Sequence, residues 1–308
     1  MHGPYTRIGR LAGGTTMTYR FHSACSTLRR DPGHLPRRDR AVLRILNRSQ
    51  AATAAQLAVV AYHDRHVAQV RLRRLWDLGY LERLLLPPAH APGGAPYAYR
   101  LSSACLHRLG YGRRPWRGSG YLAHTLDAVE AVCALVAASD PETDPLVTLW
   151  LPESIVEDAL TAGPVPDTVV VLNADSGSGV LCLEIDEATQ HVAPIRAKLH
   201  AYRRALADRP GWHLLLVVPT VARRNWLRRI ARAQDIGGAS AWVMTMDDLR
   251  RGGIDARLVP IVGPSAPPTL RQVLADPRPR RSATPVGSRA WLELLGSGGG
   301  EESSELPV

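Results

Sequence analysis

Four short apolar runs, Val147–Leu151, Thr168–Leu172, Val180–Asp186 and Trp212–Pro219, follow one another in the second half of the chain, set off by Pro, Gly and Asp. Runs of this length and composition are strand-sized, and their continuous apolar character suits a sheet covered on both faces. Asp175-Ser176-Gly177-Ser178-Gly179 between the second and third reads as a hairpin loop. Between the third and fourth, Ile195, Leu199, Tyr202 and Leu206 recur at helical spacing and predict a helix from Pro194 to Ala207. A helix from His124 to Ala138 precedes the set, and an Arg-rich helix Ala222–Ala233 and a strand near Ala241–Met244 follow it. The order αβββαβαβ constrains this half to a mixed sheet flanked by helices, and the fold class to α+β.

The first half has a different pattern. Val42, Ile45 and Leu46 predict a short helix after Pro36; Thr53 with Gln56 forms a capping box for a second helix through Ala61; a third runs from Asp64 to Leu78 and ends at Gly79. Two apolar strands, Tyr80–Leu86 and Tyr97–Leu101, flank Pro87–Gly94, and Ser102 caps a further short helix. Three helices and a hairpin spell a winged helix-turn-helix with Pro87–Gly94 as the wing tip. On the third helix Val67, Val70, Leu75 and Leu78 are expected to be buried. Arg65, Gln69 and Arg73, with His66 nearby, form a polar stripe suited to a major groove, where Arg pairs with guanine and Gln with adenine. Arg71 and Arg74 lie nearer the apolar side and are expected to reach backbone phosphates. A solvated arginine face on a bundle helix is the other reading of this stripe.

Charge separates the two halves. From Met1 to Arg117, 20 Arg stand against 5 acidic residues, whereas from Gly118 onward 18 basic residues stand against 23 acidic ones. The basic half fits a polyanionic partner, double-stranded DNA, held by counterion release. The longest uncharged apolar run, Ala131–Ala138, is far shorter than the ~20 residues a membrane helix needs, so no membrane association is expected. No secretory signal is recognisable, and Cys25, Cys105, Cys133 and Cys182 lack any C-x-x-C pairing, so a cytoplasmic, DNA-associated protein with reduced thiols is expected. The expected organisation is a flexible basic arm (1–35), the winged helix domain (36–118), the mixed-sheet domain (119–262) and a disordered Pro/Gly/Ser-rich tail (263–308), within which Trp291–Leu295 could dock.

Lys198 is the only lysine among 38 basic residues. A compact ammonium can be tuned and can sit beside a reacting phosphate as guanidinium cannot. Upstream, alternation along Val180–Asp186 places Glu184 and Asp186 on one face at a strand's end, and Asp167 opens the preceding strand after Pro166. Carboxylates so grouped suit a divalent metal with open positions for water and phosphate. Glu130, on the first helix of this half, is a further candidate. The structural alternatives are a turn role for Asp167, ion pairs of Glu184 or Asp186 with Arg196 or Arg203, and a core-border role for Lys198.

Pro166-Asp167, Glu184-x-Asp186 and Lys198 with Tyr202 resemble the PD-(D/E)xK nuclease-like core of the replication-relaxation family of bacterial mobile elements. The winged helix, His124-x-x-Asp127 and Trp150-x-Pro152-Glu153 are similar to that family too, over about residues 36 to 245. The resemblance implies an αβββαβ restriction-endonuclease-like domain, Asp167 and Glu184 as ligands of Mg²⁺, Asp186 as auxiliary ligand or orienter, and Lys198 as the catalytic cation. It departs at Asp186, where a nuclease motif carries its lysine. It also implies a plasmid or integrated-element protein of replication, relaxation or transfer, partnered by DNA and by a second copy or other replication and transfer proteins. A non-catalytic regulator or relaxation-complex accessory on a degenerate scaffold stays open beside it.

Overall fold

In a computed structural model the chain is described at residues 8–10, 16–18, 21–86, 97–111, 119–139, 146–159, 163–174, 177–207, 209, 211–233, 240–262 and 268–275. It divides into two units, Met1–Glu130 and Ala131–Val308.

In the first unit, strands β1 (Ile8–Arg10) and β2 (Thr16–Thr18) pair with each other, and β3 (Phe21–Ser23) leads to helix α1 (Arg37–Ser49). Strand β4 (Ala52–Thr53), helix α2 (Ala54–Leu57, widening into a π turn over Ala58–Tyr62) and helix α3 (Arg65–Asp77) follow. Strands β5 (Leu81–Leu85) and β6 (Tyr97–Leu101) then form an antiparallel hairpin, and α4 (Ser103–Arg108) and α5 (Ser119–Ala137) come next. The sheet runs β3-β5-β6-β4. The predicted capping box is present in both directions: Thr53 Oγ1 accepts from Gln56 N at 3.2 Å, and Gln56 Oε1 accepts from Thr53 N at 2.9 Å. Asp64 starts α3 by accepting from Val67 N at 2.7 Å. Val42, Leu43 and Leu46 of α1, Leu57 of α2 and Leu72 and Leu75 of α3 are buried. Leu122 and Leu126 of α5 pack against Ala51, Leu84, Leu86 and Ala98.

Two sequence expectations are corrected here. The segment assigned to a flexible arm is built into the unit from Phe21 onward. Phe21–Ser23 pairs with Leu84–Glu82, Trp76 Nε1 donates to His22 O at 2.8 Å, and Tyr80 Oη donates to Arg30 O at 2.5 Å. An edge strand and carbonyl acceptors organise this stretch, so it carries no hydrophobic period. Gly79 (φ 87°) is required twice over, because a Cβ there would lie 2.6 Å from Thr27 O as well as in a left-handed conformation. The buried side of α3 is Ala68, Leu72 and Leu75; Val67 and Val70 are 41% and 53% exposed. Small Ala68 marks the true phase, and the valines had drawn the apolar stripe about one residue off. The wing tip 87–94 lies outside the described residues.

The second unit holds one six-stranded sheet in the order β12-β11-β10-β9-β8-β7. Its strands are β7 (Leu146–Pro152), β8 (Thr168–Ala174), β9 (Gly177–Ile185), β10 (Trp212–Val218), β11 (Ala241–Thr245) and β12 (Val259–Pro260). The first three form an antiparallel meander, β9, β10 and β11 are parallel, and β12 returns antiparallel. Parallel neighbours need crossovers, which α7 (Val192–Leu206) and α8 (Val221–Ala233) supply. Ile195, Leu199 and Tyr202 of α7 and Leu227 and Ala231 of α8 join Val169, Cys182, Leu214, Leu216, Val218 and Val243 in one core, so both helices cover the same face. The fold is α+β, and α5 with β7, β8, β9, α7 and β10 gives the expected αβββαβ order. Helix α6 (Glu153–Ala159), unforeseen in sequence, lies between β7 and β8, and α9 (Met246–Gly252), capped by Thr245, follows β11.

The stretch beyond 263 is also corrected in part. Helix α10 (Leu270–Ala275) forms there with Thr269 and Gln272 in a reciprocal cap of 3.2 and 2.8 Å, and Leu270 is buried. The Trp291–Leu295 segment lies outside the described residues.

Candidate functional site

The site in the second unit is assembled where β8 begins and β9 ends. Trp150 Nε1 donates to Thr168 Oγ1 at 2.8 Å, and that hydroxyl donates to Leu151 O at 2.9 Å, pinning the start of β8. Glu153 N donates to Asp167 O at 2.9 Å, and Ile185 N donates to Asp167 Oδ2 at 2.7 Å. The Trp150-x-Pro152-Glu153 stretch therefore has a physical job: it fixes the residue next to β8 whose carboxylate reaches the end of β9.

Glu184 projects from β9 toward α7 and is 1% exposed. Lys198 Nζ donates to Glu184 Oε2 at 2.5 Å, and Tyr202 Oη donates to Oε1 at 2.6 Å. Lys198 and Tyr202 are one helical turn apart, so both reach the same carboxylate. Burial first, and then the nearby Asp167 charge, push the Glu184 carboxyl up to about 7 against the pull of Lys198 and Tyr202. Burial alone would lower the Lys198 ammonium, but the charges of Glu184, Asp167 and Asp186 and the bond to Glu184 outweigh it, and the net direction is up. The Tyr202 hydroxyl is raised by burial and then by Glu184, which keeps it a donor.

Asp186, two residues on and on the same strand face, is drawn elsewhere. Arg223 of α8 donates from Nε to Oδ2 at 2.6 Å and from Nη2 to Oδ1 at 3.0 Å, and Ala188 N donates to Oδ1 at 3.1 Å. Arg223 also reaches Gln190 O at 2.9 Å and stacks 3.9 Å over Trp226. Both oxygens of Asp186 are thus bonded to Arg223, as both oxygens of Glu184 are bonded to Lys198 and Tyr202. Sequence reasoning missed Arg223, which no motif distinguishes from the other arginines of its helix. Glu130 is held in the first unit by Gln56 Nε2 at 3.1 Å.

Asp167 and Glu184 are hard oxygen donors. That set suits Mg²⁺, which is commonly held by one or two carboxylates while water and phosphate fill the rest of its shell. Among the described residues no group of three or more His, Cys, Asp and Glu is gathered.

In the first unit, Arg65, His66, Gln69, Arg73 and Arg74 are exposed along α3, with Val67 and Val70 among them. Arg73 is tied loosely to Asp77 at 3.2 Å and lies 5.0 Å over Trp76. Arg71 corrects its sequence expectation of a phosphate contact. Its Nε donates to Asp39 Oδ1 at 3.1 Å and its Nη2 to Asp39 Oδ2, while Tyr62 Oη donates to the same carboxylate at 3.1 Å. Asp39 is 1% exposed, so Arg71 is spent on neutralising a buried charge.

The replication-relaxation family matches residues 43–213. The chain belongs to the replication-relaxation family. The match spans both units, from α1 to the start of β10, and includes Asp167, Glu184 and Lys198. No curated protein matches the chain. The solved structure of the restriction endonuclease FokI is similar at 11% identity with a TM-score of 0.25, over 70% of this chain and 43% of that chain. The chain thus spans less than half of FokI's length, and the α+β assignment of this replication-relaxation protein rests on its own strand order. Among the described residues no helix is long and apolar enough to cross a membrane.

Proposed function

We propose that this replication-relaxation protein is a DNA-binding protein of a plasmid or integrated mobile element, acting in replication, relaxation or transfer, and that its second unit handles the phosphodiester backbone. The observation that carries this reading is the juxtaposition of the chain's sole lysine with Glu184 at 2.5 Å, at the strand end that Asp167 also reaches. Asp167 and Glu184 would hold Mg²⁺, and the bound ion would polarise a phosphate. Lys198 would leave Glu184 to stabilise charge on a phosphoryl oxygen, Tyr202 would keep Glu184 oriented, and Arg223 would keep Asp186 out of the site.

In the first unit the α1–α2–α3 arrangement with its hairpin acts as a winged helix-turn-helix. Arg65, Gln69 and Arg73 would read base edges and His66 and Arg74 would hold phosphates. Exposed Val67 and Val70 suit contact with a thymine methyl. Duplex DNA is the partner on this reading, with a second copy or other replication and transfer proteins joining on it. The direct test is a gel shift at fixed salt with wild type and the Arg65→Ala/Gln69→Ala/Arg73→Ala protein: the variant should lose preference among sequences while keeping its fold. Equal preference in both would remove α3 as the reader.

One observation favours a second reading. Both oxygens of Glu184 are already engaged, by Lys198 and Tyr202. A closed contact of that kind suits a non-catalytic scaffold serving a regulator or relaxation-complex accessory. Nicking of supercoiled DNA separates the two.

A further inference from the structure

Helices α7 and α8 stand out within a half of the chain that is otherwise rich in acid. From Gly118 onward 18 basic residues face 23 acidic ones, yet neither α7 nor α8 contains an aspartate or glutamate. Arg196, Lys198, Arg203 and Arg204 lie on the first, and Arg223, Arg224, Arg228, Arg229 and Arg232 on the second. Both helices pack through one core on the same sheet face, so their outer faces form one surface. Its inner border is the site already described, through Lys198 on Glu184 and Arg223 on Asp186.

On α8, Arg224, Arg228 and Arg232 recur every four residues, the spacing at which like charges repel on a helix. Relief comes from other elements, through Asp248 on Arg224 at 3.2 Å and Pro260 O on Arg228 at 3.1 Å. Burial and the charges of Arg232 and Arg224 pull the Arg228 guanidinium below its ordinary value. Arg204, Arg229 and Arg232 are exposed. An ordinary solvated surface mixes signs. The exposed arginines of these two helices carry one sign, and a cluster of one sign is what a polyanion neutralises.

We propose that the outer faces of α7 and α8 bind the DNA sugar–phosphate backbone and lead it to the Lys198–Glu184 pair. This rests on the reading of the protein as DNA-binding, and adds a sequence-independent surface separate from the α3 reader.

The test uses the full chain with Arg204→Gln/Arg229→Gln/Arg232→Gln, titrated into a labelled duplex over a series of salt concentrations. At about 0.9 per phosphate contact, the slope of log affinity against log salt should become shallower by roughly 2 to 3. Affinity should fall equally for all sequences, with preference among them unchanged. Removing like charges should leave the thermal midpoint equal or higher, which separates lost contacts from lost fold. Lysine at the three positions should restore the slope, because phosphate contacts need a charge more than a fork. Wild-type slope in the glutamine variant, with DNA binding intact, overturns the proposal. An unchanged slope with weakened binding to polyglutamate would assign the surface to an acidic protein, and would overturn it equally. No DNA binding by the wild type at any salt would remove the underlying reading as well.

Discussion

In each unit a buried carboxylate meets one cation and one tyrosine hydroxyl, and the two arrangements serve opposite ends. In the first, Asp39 takes a bidentate bond from Arg71 and one from Tyr62, so a single negative charge meets a rigid fork. In the second, Glu184 takes one bond each from Lys198 and Tyr202, and Asp167 adds a second negative charge close enough to raise the Glu184 carboxyl. The first cluster is balanced and ties α1, the π turn and α3 together. The second has two carboxylates for one ammonium and a cation with a single mobile head. What separates a clamp from a candidate site here is the extra carboxylate and the choice of lysine, since burial is nearly the same for Asp39 and Glu184.

The largest effect expected from this contrast is on stability. Asp39→Ala strips Arg71 and Tyr62 of their shared acceptor and should cost about 3–5 kcal/mol in denaturant unfolding, the range for breaking a buried pair from one side. Glu184→Gln keeps one accepting oxygen, turns its amide N–H groups toward the other donor and removes the repulsion from Asp167, so it should cost about 1–2 kcal/mol, less than Asp39→Ala. Equal losses in the two variants would erase the distinction.

A pH series sharpens it. The Glu184 carboxyl titrates at about 7 in the folded chain against an ordinary 4.5, so the folded state holds that proton to higher pH. Its contribution to stability is fully present below 4.5 and is lost as pH rises to about 7, on the order of 3 kcal/mol. Thermal midpoints of wild type should fall across that window more than those of Glu184→Gln; parallel curves would contradict the raised carboxyl.

Smaller again is the support beneath Asp167. Trp150→Phe removes the bond to Thr168 and should cost about 1 kcal/mol in unfolding, with any nicking or metal-dependent DNA binding reduced more than stability alone explains. A stability loss with unchanged activity would reduce Trp150 to a packing residue.

Much of this was legible in sequence where local rules act. The Thr53–Gln56 box, the Gly79 stop and the alternation that put Glu184 and Asp186 on one strand face all follow from chemistry within a few residues. Composition singles out the lone lysine, but as a cation for phosphate; its bond to Glu184, for which the sequence offers Arg196 or Arg203, appears only in the structure. What escaped depends on partners far along the chain. Asp186 faces the same way as Glu184, and nothing local says that Arg223 will claim it. Arg71 reads as a surface residue until Asp39 is seen beneath it. Phe21–Leu35 has no period of its own because the edge of β5 and the end of α3 order it.

The central claim, that Asp167, Glu184 and Lys198 form a working phosphodiester site, meets its most direct test on supercoiled plasmid. Purified protein incubated with Mg²⁺ or Mn²⁺ should convert it to open circles, and Asp167→Ala, Glu184→Ala and Lys198→Ala should each lower that rate by at least about 100-fold, the scale of losing an electrostatic or acid–base contribution. Absence of nicking by the wild type, or nicking that survives all three substitutions, would contradict the account.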